Sequence, residues 1–257
     1  MKKITSKTAI ITGASSGFGA ATAEHLASLG ISISLGARRL DRLEELQKKI
    51  QDQSDVKVFC HELDVQSSDS VANFVRATQK HFGSIDFLIN NAGFGHTLDF
   101  IETSKEEDWE KIWNTNVMGV VRMTQKVLPL MKANAGSRII NIGSTAGYEA
   151  YEGGGSYCSS KFALRAVTQG LRYELMEKGI GVSSVDPGMA ETEFSIVRFD
   201  GDQQKAKKVY DGFQPLVAKD IAEIVGFIVT RPAHVSIDQL LVMPQAQAHG
   251  RRILRRP

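Results

Sequence analysis

Tyr157 and Lys161 are separated by four positions in a segment whose residues favour a helix. On a helix this spacing places the two side chains on one face, one turn apart. A free tyrosine has a pKa of about 10 and is a weak base near neutrality, but a nearby ammonium favours the phenolate. Lowering that pKa by roughly three units corresponds to about 4 kcal/mol, which a close, partly buried cation supplies. The pair is therefore a candidate for proton transfer, and an ordinary surface pair is the alternative.

Other polar residues are predicted to gather at one edge of a sheet. Ser144 ends the fifth predicted strand, and the run Asn91-Ala92-Gly93 comes at the end of the fourth. Ligands of open α/β sheets bind at the carboxyl ends of the strands, where a serine orients a reacting carbonyl or hydroxyl. Asn116 lies within an otherwise apolar helical segment. Its low helix propensity there indicates structural or catalytic hydrogen bonding.

The segment between the first predicted strand and the first predicted helix is rich in glycine and serine. It contains Gly13, Ala14, Ser15, Ser16, Gly17, Phe18 and Gly19, in a G-x-x-x-G-x-G pattern. Glycines at a helix N-terminus permit a tight turn and let backbone N–H groups approach a pyrophosphate. Such turns also occur only to pack a helix on a strand. The position between strand and helix favours the binding of a dinucleotide.

The end of the second predicted strand indicates which dinucleotide is bound. An acid at this point selects NAD by binding its ribose 2′-hydroxyl, whereas the 2′-phosphate of NADP requires cations. Here the strand is followed by Arg38 and Arg39, whose guanidinium groups form bidentate bonds with phosphate. Asp41 comes after the turn and is interpreted as a charge at a helix N-terminus. The sequence therefore predicts NADP(H) as cofactor.

The elements that position these residues follow from short apolar runs that alternate with helical patterns. Strands are predicted at residues 8–12, 31–37, 56–63, 85–90, 138–142, 181–185 and 240–243. Helices are predicted at residues 17–29, 40–51, 68–81, 106–133, 157–178 and 218–230. The strand cores are continuously apolar, as in parallel strands that are buried on both faces. We expect an α/β fold in which one domain, residues 1–257, forms a doubly wound parallel sheet with helices on both faces.

The composition excludes several classes of protein. The chain has 257 residues, of which 42% are hydrophobic and 23% charged, so neither a disordered chain nor collagen fits. Cys60 and Cys158 are the only cysteines, too few for a disulfide scaffold or a thiolate zinc site. The six histidines show no spacing typical of metal ligands, so no metal is expected.

Charge and hydropathy limit the partners of the chain. The net charge of +2 depends on four arginines near the C-terminus: Arg251, Arg252, Arg255 and Arg256. The rest of the chain has no broad basic face, so nucleic-acid binding is not expected. The basic tail, residues 250–257, is interpreted as a solvated or packed terminus, with a phosphate or partner contact as the alternative. With no signal peptide and no apolar run of about 20 residues, we expect no membrane contact and a cytoplasmic location.

Two predicted helices carry more apolar residues than one buried face requires. They are the helices at 106–133 and 157–178, whose apolar residues cover a wide arc. A helix that is apolar over much of its circumference is buried on more than one side. Deep burial within the monomer explains this, and so does a homo-oligomer, a dimer or tetramer, built on these two helices.

Six motifs occur together in the order of a known family. They are the turn at residues 12–19, the run Asn90 to Gly93, Asn116, Ser144, Tyr157 with Lys161, and Pro187-Gly188. On these motifs the chain resembles the short-chain dehydrogenase/reductase family over essentially its whole length. The resemblance implies a single Rossmann-type sheet of about seven strands and an enzyme that acts on CH–OH groups.

The resemblance also implies catalytic roles. Tyr157 would be the general acid/base, and Ser144 would orient the substrate. Lys161 would lower the pKa of Tyr157 and hold the nicotinamide ribose, while Asn116 would anchor a proton-relay water. Further residues would contact the cofactor: Asp64 and Val65 the adenine, Asn91 the adjoining ribose, and Pro187, Gly188, Met189 and Thr192 the nicotinamide and phosphate side.

The substrate depends on a segment at about residues 190–216, which follows the sixth predicted strand. This segment resembles that of NADP-dependent 3-hydroxy acid dehydrogenases, which oxidise serine, L-allo-threonine and 3-hydroxyisobutyrate-type acids. Arg198 is the candidate anion anchor, because a guanidinium pairs a carboxylate bidentately. An exposed arginine paired with Asp200 or Asp202 is the alternative, and Tyr148 and Tyr151 could reshape the pocket mouth.

Other functions fit parts of the pattern. A sulfonate suits the same cation, so sulfoacetaldehyde reduction is one alternative, and reduction of another small aldehyde or ketone or of a 3-oxoacyl group on a carrier protein is a second. A Rossmann protein that binds NADP(H) as a sensor without catalysis is a different class. Ser144, Tyr157 and Lys161 argue against a sensor, because a sensor needs no acid/base.

Overall fold

The computed structural model describes residues 6–96, 98–133, 136–199, 201–250 and 252–256. In chain order its strands are β1 (Thr8–Thr12), β2 (Ser32–Ala37), β3 (Val58–Glu62), β4 (Phe87–Asn90), β5 (Arg138–Ile142), β6 (Gly181–Pro187), β7 (Ala190–Glu191), β8 (Leu216–Val217), β9 (Gln239–Val242), β10 (Gln247–His249) and β11 (Arg252–Ile253). Seven of them form one sheet in the order β3-β2-β1-β4-β5-β6-β9. All its neighbouring strands are parallel, as the apolar runs predict.

Helices cover both faces of this sheet. They are α1 (Gly17–Ser28), α2 (Leu40–Gln53), α3 (Ser68–Phe82), α4 (Glu106–Trp113), α5 (Gly119–Val127), α6 (Gly155–Leu175), α7 (Glu193–Arg198), α8 (Gln203–Lys208) and α9 (Ala218–Val229). One core cluster packs α1, α2 and α9 against the sheet, and the second packs α3, α5 and α6 against its other face. The expected fold class, a Rossmann-type doubly wound sheet, is confirmed.

Strand β1 illustrates why the apolar runs are continuous. All five of its residues are buried. Successive side chains of a strand point to opposite faces. Ile11 therefore joins the core on the side of α1, whereas Ile10 joins the core on the side of α3. A strand covered on both faces is therefore apolar at consecutive positions, here Ala9 to Ile11, with the buried Thr8 and Thr12 on either side of that run.

The single long helix predicted at residues 106–133 is wrong. The chain forms α4, then one π-helical stretch at Asn114–Met118, then α5, and ends in a 3-10 turn at Leu128–Leu130. Gly119 donates its N–H to the Asn114 carbonyl oxygen, five positions back, which is the π-helical spacing, and the Arg122 guanidinium of α5 donates to the same oxygen (3.3 Å). The proline in the 3-10 turn ends the helix, since it lacks an N–H donor.

Several short elements were not predicted. They are α7 and α8, the parallel pair β7–β8, and the antiparallel pair β10–β11. Each has six residues or fewer, which is too short for a hydrophobic period to be read. Together they form the part of the chain that follows β6 and returns over the carboxyl edge of the sheet. The predicted helix at 157–178 also differs slightly, because α6 runs from 155 to 175.

Three observations on the described residues bear on the partners of the chain. None of their helices is both long enough and apolar enough to cross a membrane. No group of three or more histidine, cysteine or acidic side chains among them is arranged to hold a metal ion. Neither Cys60 nor Cys158 is in a disulfide bond.

Candidate active site

A cavity of about 660 Å³ opens at the carboxyl edge of the sheet, above β1, β4, β5 and β6. Strand β1 lies between β2 and β4, so the connections that leave β1 and β4 run in opposite directions along the sheet. Such a reversal of strand order creates the crevice in which α/β proteins bind ligands. The cavity runs from the glycine-rich turn at Gly13 past Tyr157 to Arg198. Most of the predicted site residues line this cavity, whereas five of them do not: Ala14, Gly19, Asn116, Ser144 and Pro187.

The glycines of the turn after β1 are required by close packing. Gly13 and Gly17 have φ values of +66° and +54°, which lie in the left-handed region that favours glycine. A Cβ at Gly13 would lie 2.8 Å from the Ala92 Cα, and one at Gly19 would lie 2.6 Å from the Asn91 side-chain nitrogen. The turn therefore packs so closely on the end of β4 that a side chain at Gly13 or Gly19 would collide, and Gly13 and Gly17 line the cavity.

Asn91 and Thr12 hold the turn against the end of β4. The Asn91 side-chain amide donates to the carbonyl oxygens of Thr12 (2.8 Å) and Gly13 (3.2 Å). In return the Thr12 hydroxyl accepts from the backbone N–H groups of Asn91 (3.0 Å) and Ala92 (2.9 Å). The amide of Asn91 is thus committed to the turn, while the residue itself lines the cavity.

Arg39 lies at the rim of the cavity beside the turn. Its guanidinium donates to the hydroxyls of Ser15 (3.0 Å) and Ser16 (2.9 Å) and forms an ion pair with Glu193 (3.1 Å). Arg38 is exposed and lines the same rim. The two arginines and two serines form a cluster of donors next to the helix N-terminus, which suits a phosphate group.

Asp64 and Val65 follow β3 and line the cavity on the other side of the turn. The Asp64 carboxylate accepts from the backbone N–H of Gln66 (2.9 Å), and its own N–H donates to the Ser70 hydroxyl (2.9 Å). Val65 is buried and packs on Gly119, where a Cβ would lie 2.8 Å from a Val65 methyl group. Both residues are held in place by the start of α3 and the start of α5.

Tyr157 lies at the centre of the cavity, on the first turn of α6. Ser144 hydrogen-bonds its phenol oxygen, and the Lys161 Nζ lies 5.7 Å from its ring centroid. Burial raises the pKa of Tyr157 above its ordinary value, although Arg198 and Ser144 lower it. The expectation that Lys161 sets a low pKa is therefore not what this arrangement shows, because burial is the largest cause. The phenol is protonated at neutral pH and is ready to donate a proton.

Lys161 lies one helical turn after Tyr157, as the spacing predicts, and only 7% of its surface is exposed. Its ammonium donates to the carbonyl oxygen of Ile142 (2.9 Å), at the end of β5. Burial lowers the pKa of Lys161 to about 8, and the negative charge of Asp186 opposes that change. The ammonium form therefore predominates at neutral pH.

Asn116 lies in the π-helical stretch and is almost completely buried. Its side-chain oxygen accepts from the Phe94 N–H (3.0 Å), and its nitrogen donates to the Phe94 oxygen (2.9 Å) and to the Ser160 hydroxyl (3.0 Å). It thus ties the loop after β4 to α6 next to Tyr157. The mid-helix asparagine was predicted to form structural or catalytic hydrogen bonds, and the structure shows the structural ones.

The residues after β6 form the far wall of the cavity. Gly188 donates its N–H to the oxygen of Val242 (2.7 Å), and Met189 donates its N–H to the side-chain oxygen of Gln247 (2.8 Å). Thr192 caps α7 by accepting from the N–H of Phe194 (3.2 Å). Pro187 ends β6 and is buried.

Arg198 ends α7 and points into an aromatic enclosure. Its guanidinium carbon lies 5.1 Å from the ring centroid of Tyr157 and 5.1 Å from that of Phe194. Tyr151 accepts one hydrogen bond from it (2.8 Å). The Nε of Arg198 is buried and has no hydrogen-bond partner among the described residues. A buried guanidinium with an unused donor beside Tyr157 is suited to an anionic ligand.

In the alternative interpretation, Arg198 is exposed and paired with Asp200 or Asp202. The structure shows Asp202 in another role. Asp202 accepts from the N–H of Lys205 (2.9 Å) and caps α8. Asp200 lies outside the described residues.

Sequence reasoning missed other residues at the rim. Glu193 binds Arg39 from 154 positions away, and Gln247 binds Met189 from 58 positions away. No local pattern reports such contacts. In the basic tail, Arg255 lines the cavity and donates to the carbonyl oxygens of Val209 (2.9 Å) and Asp211. Arg255 is therefore held by two backbone oxygens, whereas Arg252, Leu254 and Arg256 are exposed, and Arg251 and Pro257 lie outside the described residues.

Comparisons with known proteins agree with this geometry. Residues 7–203 match the family described as short chain dehydrogenase. A relative from Schizosaccharomyces pombe, an NADP-dependent 3-hydroxy acid dehydrogenase, is 40% identical over 257 residues, which are 100% of this chain and 99% of that protein. A sulfoacetaldehyde reductase from Chromohalobacter salexigens is 40% identical over 239 residues, covering 93% of this chain and 94% of that protein.

A solved structure extends the similarity to three dimensions. It is a serine dehydrogenase in its closed form with NADP+, which superposes with a TM-score of 0.89 and 34% sequence identity over 97% of this chain and 100% of that one. The family match spans the glycine-rich turn, Asn116, Ser144, Tyr157 and Lys161. This chain belongs to the short-chain dehydrogenase family.

Proposed function

We propose that this chain is an NADP-dependent oxidoreductase that interconverts a small 3-hydroxy acid and its 3-oxo acid or semialdehyde. The observation that carries the proposal is the position of the Arg198 guanidinium, 5.1 Å from the ring of Tyr157 in one cavity. A substrate whose anionic group binds Arg198 then presents a carbon a short distance away to the phenol. Serine, L-allo-threonine, 3-hydroxyisobutyrate and 3-hydroxypropionate have this geometry.

The cofactor proposal rests on the shape and charge of the rim. In the glycine-rich turn, a Cβ at Gly13 or Gly19 would collide with neighbouring residues, so the backbone there carries no side chain. The Arg39 guanidinium, together with the hydroxyls of Ser15 and Ser16, provides donors for a 2′-phosphate. Relatives of this chain are named as NADP-dependent enzymes. The residues that would hold NADP(H) are Gly13, Ala14, Ser15, Ser16, Gly17, Phe18, Gly19, Arg38, Arg39, Asp64, Val65, Asn91, Ala92, Gly93, Tyr157, Lys161, Pro187, Gly188, Met189 and Thr192.

The catalytic proposal assigns proton transfer to Tyr157. When bound, NADP(H) supplies or accepts the hydride. In reduction the protonated Tyr157 phenol donates its proton to the carbonyl oxygen, while Ser144 holds that oxygen by a hydrogen bond. The ammonium of Lys161 stabilises the phenolate that remains. Asn116 acts through Phe94 and Ser160, as a positioning residue for the wall of the site.

The observation that favours a second candidate, sulfoacetaldehyde reduction, is the same guanidinium. Its unused Nε donor and its aromatic enclosure suit a sulfonate as well as a carboxylate. Relatives of this chain carry both names at similar identity. We propose that the segment at residues 190–216, which contains Arg198, selects between them within one catalytic domain of residues 1–257 that includes the basic tail 250–257.

An NADP-coupled assay tests these proposals. Serine, L-allo-threonine, 3-hydroxypropionate, 3-hydroxyisobutyrate and isethionate are compared with a neutral alcohol of similar size. Tyr157→Phe is expected to abolish turnover and to leave NADPH binding intact, measured by quenching of protein fluorescence. Arg198→Ala is expected to impair the acids much more than the neutral alcohol.

Each other outcome has a distinct meaning. Equal losses on acid and alcohol remove the anchor role of Arg198. NADPH binding with no turnover on any compound favours a sensor, and activity only on acyl thioesters favours a 3-oxoacyl-carrier-protein reductase. Retained turnover in Tyr157→Phe rejects the proposed mechanism.

We also propose a homo-oligomer, a dimer or tetramer, built on the two apolar helices. Their surfaces keep large apolar side chains in contact with solvent in the isolated chain: Trp113 (39% exposed), Met118 (42%), Phe162 (42%) and Tyr173 (74%). Exposed apolar patches of this kind mark protein–protein contacts. A monomeric mass by light scattering would reject the proposal.

A further inference from the structure

A buried carboxylate lies behind Lys161, outside the groups that face the cavity. Tyr157, Lys161 and Arg165 follow one another at intervals of four positions and therefore form one stripe on α6. Asp186, near the end of β6, interacts electrostatically with Lys161 and with Arg165. Only 2% of its surface is exposed. A buried charge of this kind needs partners, because an unpaired carboxylate would be costly.

Two hydroxyl groups satisfy Asp186. Tyr148 donates to one carboxylate oxygen (2.8 Å) and Ser184 donates to the other (2.7 Å). Both bonds have Asp186 as acceptor, which is the arrangement that an ionised carboxylate takes. The Arg165 guanidinium carbon lies 4.1 Å from the ring centroid of Tyr148 and covers its face. The tyrosine is thus fixed between a cation and the carboxylate.

The segment directly after β5, which contains Gly143 and Ser144, leaves room for this carboxylate. A Cβ at Gly143 would lie only 1.8 Å from an Asp186 oxygen, so no other residue fits at that position without displacing Asp186. Gly143 directly follows Ile142, whose carbonyl oxygen accepts the hydrogen bond from Lys161. The carboxylate therefore lies directly under the backbone that holds both Lys161 and Ser144.

Burial and the neighbouring charges have opposite effects on the pKa values of this cluster. Burial lowers the pKa of Lys161 to about 8, and the charge of Asp186 raises it. Burial raises the pKa of Asp186, whereas Ser184, Tyr148, Lys161 and Arg165 lower it. Burial and the bond to Asp186 raise the pKa of Tyr148 to about 12, although Arg165 and Arg172 lower it. Tyr148 therefore keeps its proton, and its hydrogen bond, throughout the range of an enzyme assay.

We propose that Asp186, held by Tyr148, is a positioning residue that keeps the Lys161 side chain charged and fixed beneath Tyr157. It does not touch substrate or cofactor, and it acts only through Lys161. The inference rests on the proposed catalytic role of Lys161. It also gives a role to Tyr148. From the sequence, this tyrosine was expected only to change the shape of the pocket mouth.

The test compares Asp186→Asn and Tyr148→Phe with two control variants on the surface. Asp55→Asn and Asp52→Asn each remove one exposed carboxylate at or just after the end of α2. The rate of ketone or aldehyde reduction is measured from pH 6 to pH 10 at saturating NADPH. Removing the charge of Asp186 makes the ammonium easier to deprotonate, so the alkaline limb of the profile moves to lower pH, by about one pH unit. Tyr148→Phe moves it the same way by less, and the controls leave it in place.

A second measurement needs neither cofactor nor turnover. The free proteins are treated with acetic anhydride at a series of pH values, and acetylation of Lys161 is quantified by peptide mass spectrometry. Only the uncharged amine reacts, so in Asp186→Asn the midpoint of labelling moves to lower pH by the same amount as the kinetic limb. Thermal unfolding identifies a variant that does not fold, and in that case Tyr148→Phe decides the question alone.

The results separate this inference from the proposed function. Matching shifts in the kinetic and labelling profiles support it. A folded Asp186→Asn variant with a lower rate but unshifted profiles overturns it, because a merely structural role predicts that pattern. If Tyr157→Phe abolishes turnover while Asp186→Asn leaves both profiles in place, the proposed function stands and only the role of Asp186 fails.

Discussion

Glu193 and Arg39 make an ion pair across the rim of the cavity, and its removal gives the most discriminating prediction for the cofactor. Arg39 is one of two arginines proposed to bind the 2′-phosphate of NADP, yet one of its nitrogens lies 3.1 Å from the Glu193 carboxylate. The other Glu193 oxygen accepts from Arg42 (2.6 Å). Partial burial raises the pKa of Glu193, but the hydrogen bonds from Arg42 and Arg39 outweigh it and hold that pKa below its ordinary value. The carboxylate is therefore ionised in any neutral assay and competes with a phosphate for Arg39.

The size of the effect follows from the geometry. Two unit charges at this separation attract by about 1 kcal/mol at the dielectric constant of water. About 42% of the Arg39 side chain and 39% of the Glu193 side chain are exposed, so screening reduces the net value toward the range of about 0.2–1 kcal/mol measured for exposed pairs. Glu193→Gln is therefore expected to tighten NADPH binding by a factor of about 1.4–5. NADH has no phosphate at this position, so its affinity is expected to stay constant.

The assay is the titration of protein fluorescence with each cofactor at low ionic strength, repeated at higher salt. Glu177→Gln is the matched control. That glutamate is exposed and lies just after the C-terminal end of α6, whereas the cavity lies at the N-terminal end of this helix. The gain for NADPH is expected to shrink as salt rises, because screening acts on exposed charges. Equal changes for NADPH and NADH, or weaker NADPH binding in Glu193→Gln, would refute the reasoning, since Glu193 would then act by holding the rim together.

Three further predictions follow from the packing and charges of the site. Asn116→Ala removes the side chain that pairs with the Phe94 N–H and carbonyl oxygen, and it removes one of the two hydrogen bonds of the Ser160 hydroxyl. It is expected to lower the free energy of unfolding by about 1–3 kcal/mol in urea denaturation; a change below about 0.5 kcal/mol would contradict this. Gly19→Ala places a methyl carbon 2.5 Å from a backbone oxygen of the turn and is expected to cost about 1–3 kcal/mol and to weaken cofactor binding, measured by calorimetry. Because Lys161 has a pKa of about 8, the reduction rate of the unmodified enzyme is expected to be constant below that pH and to fall above it; a rate that stays constant to pH 10 would show that the ammonium is not needed.

The sheet and the motif positions could be predicted because both are local. Both faces of a buried parallel strand are covered, so β1 and β5 contain short continuous apolar runs, Ala9 to Ile11 and Ile139 to Ile140, beside buried polar residues such as Asn141. Ligands bind where such strands end, so Asn91 was expected at the cavity, which it lines, whereas Ser144 does not line the cavity and hydrogen-bonds Tyr157. The spacing of Tyr157 and Lys161 fixes their relation on a helix for the same reason.

What could not be predicted depends on contacts between distant parts of the chain. The π-helical stretch at Asn114–Met118 contains Asn116, which binds Phe94 and Ser160, and no hydropathy pattern indicates the widened turn. The pKa of Tyr157 was expected to be low from one neighbour, Lys161, but burial by the whole enclosure determines its direction. A local pattern reports neighbours along the chain and cannot report how much water the fold removes.

Three arginines show how the surroundings decide which cation is open to a ligand. Arg255, in the basic tail, donates to two backbone oxygens and lies 5.2 Å from the ring centroid of Phe213, so its charge serves packing. Arg39 is bound by one carboxylate and two hydroxyls at an exposed rim, where a phosphate can replace the acid at modest cost. Arg198 alone of the three has a buried donor with no partner among the described residues. Because an unsatisfied buried donor is costly, a ligand that satisfies it gains more there than at the other two. All three arginines count equally in the net charge. Arg198 is therefore the one at which an anionic substrate gains most binding free energy.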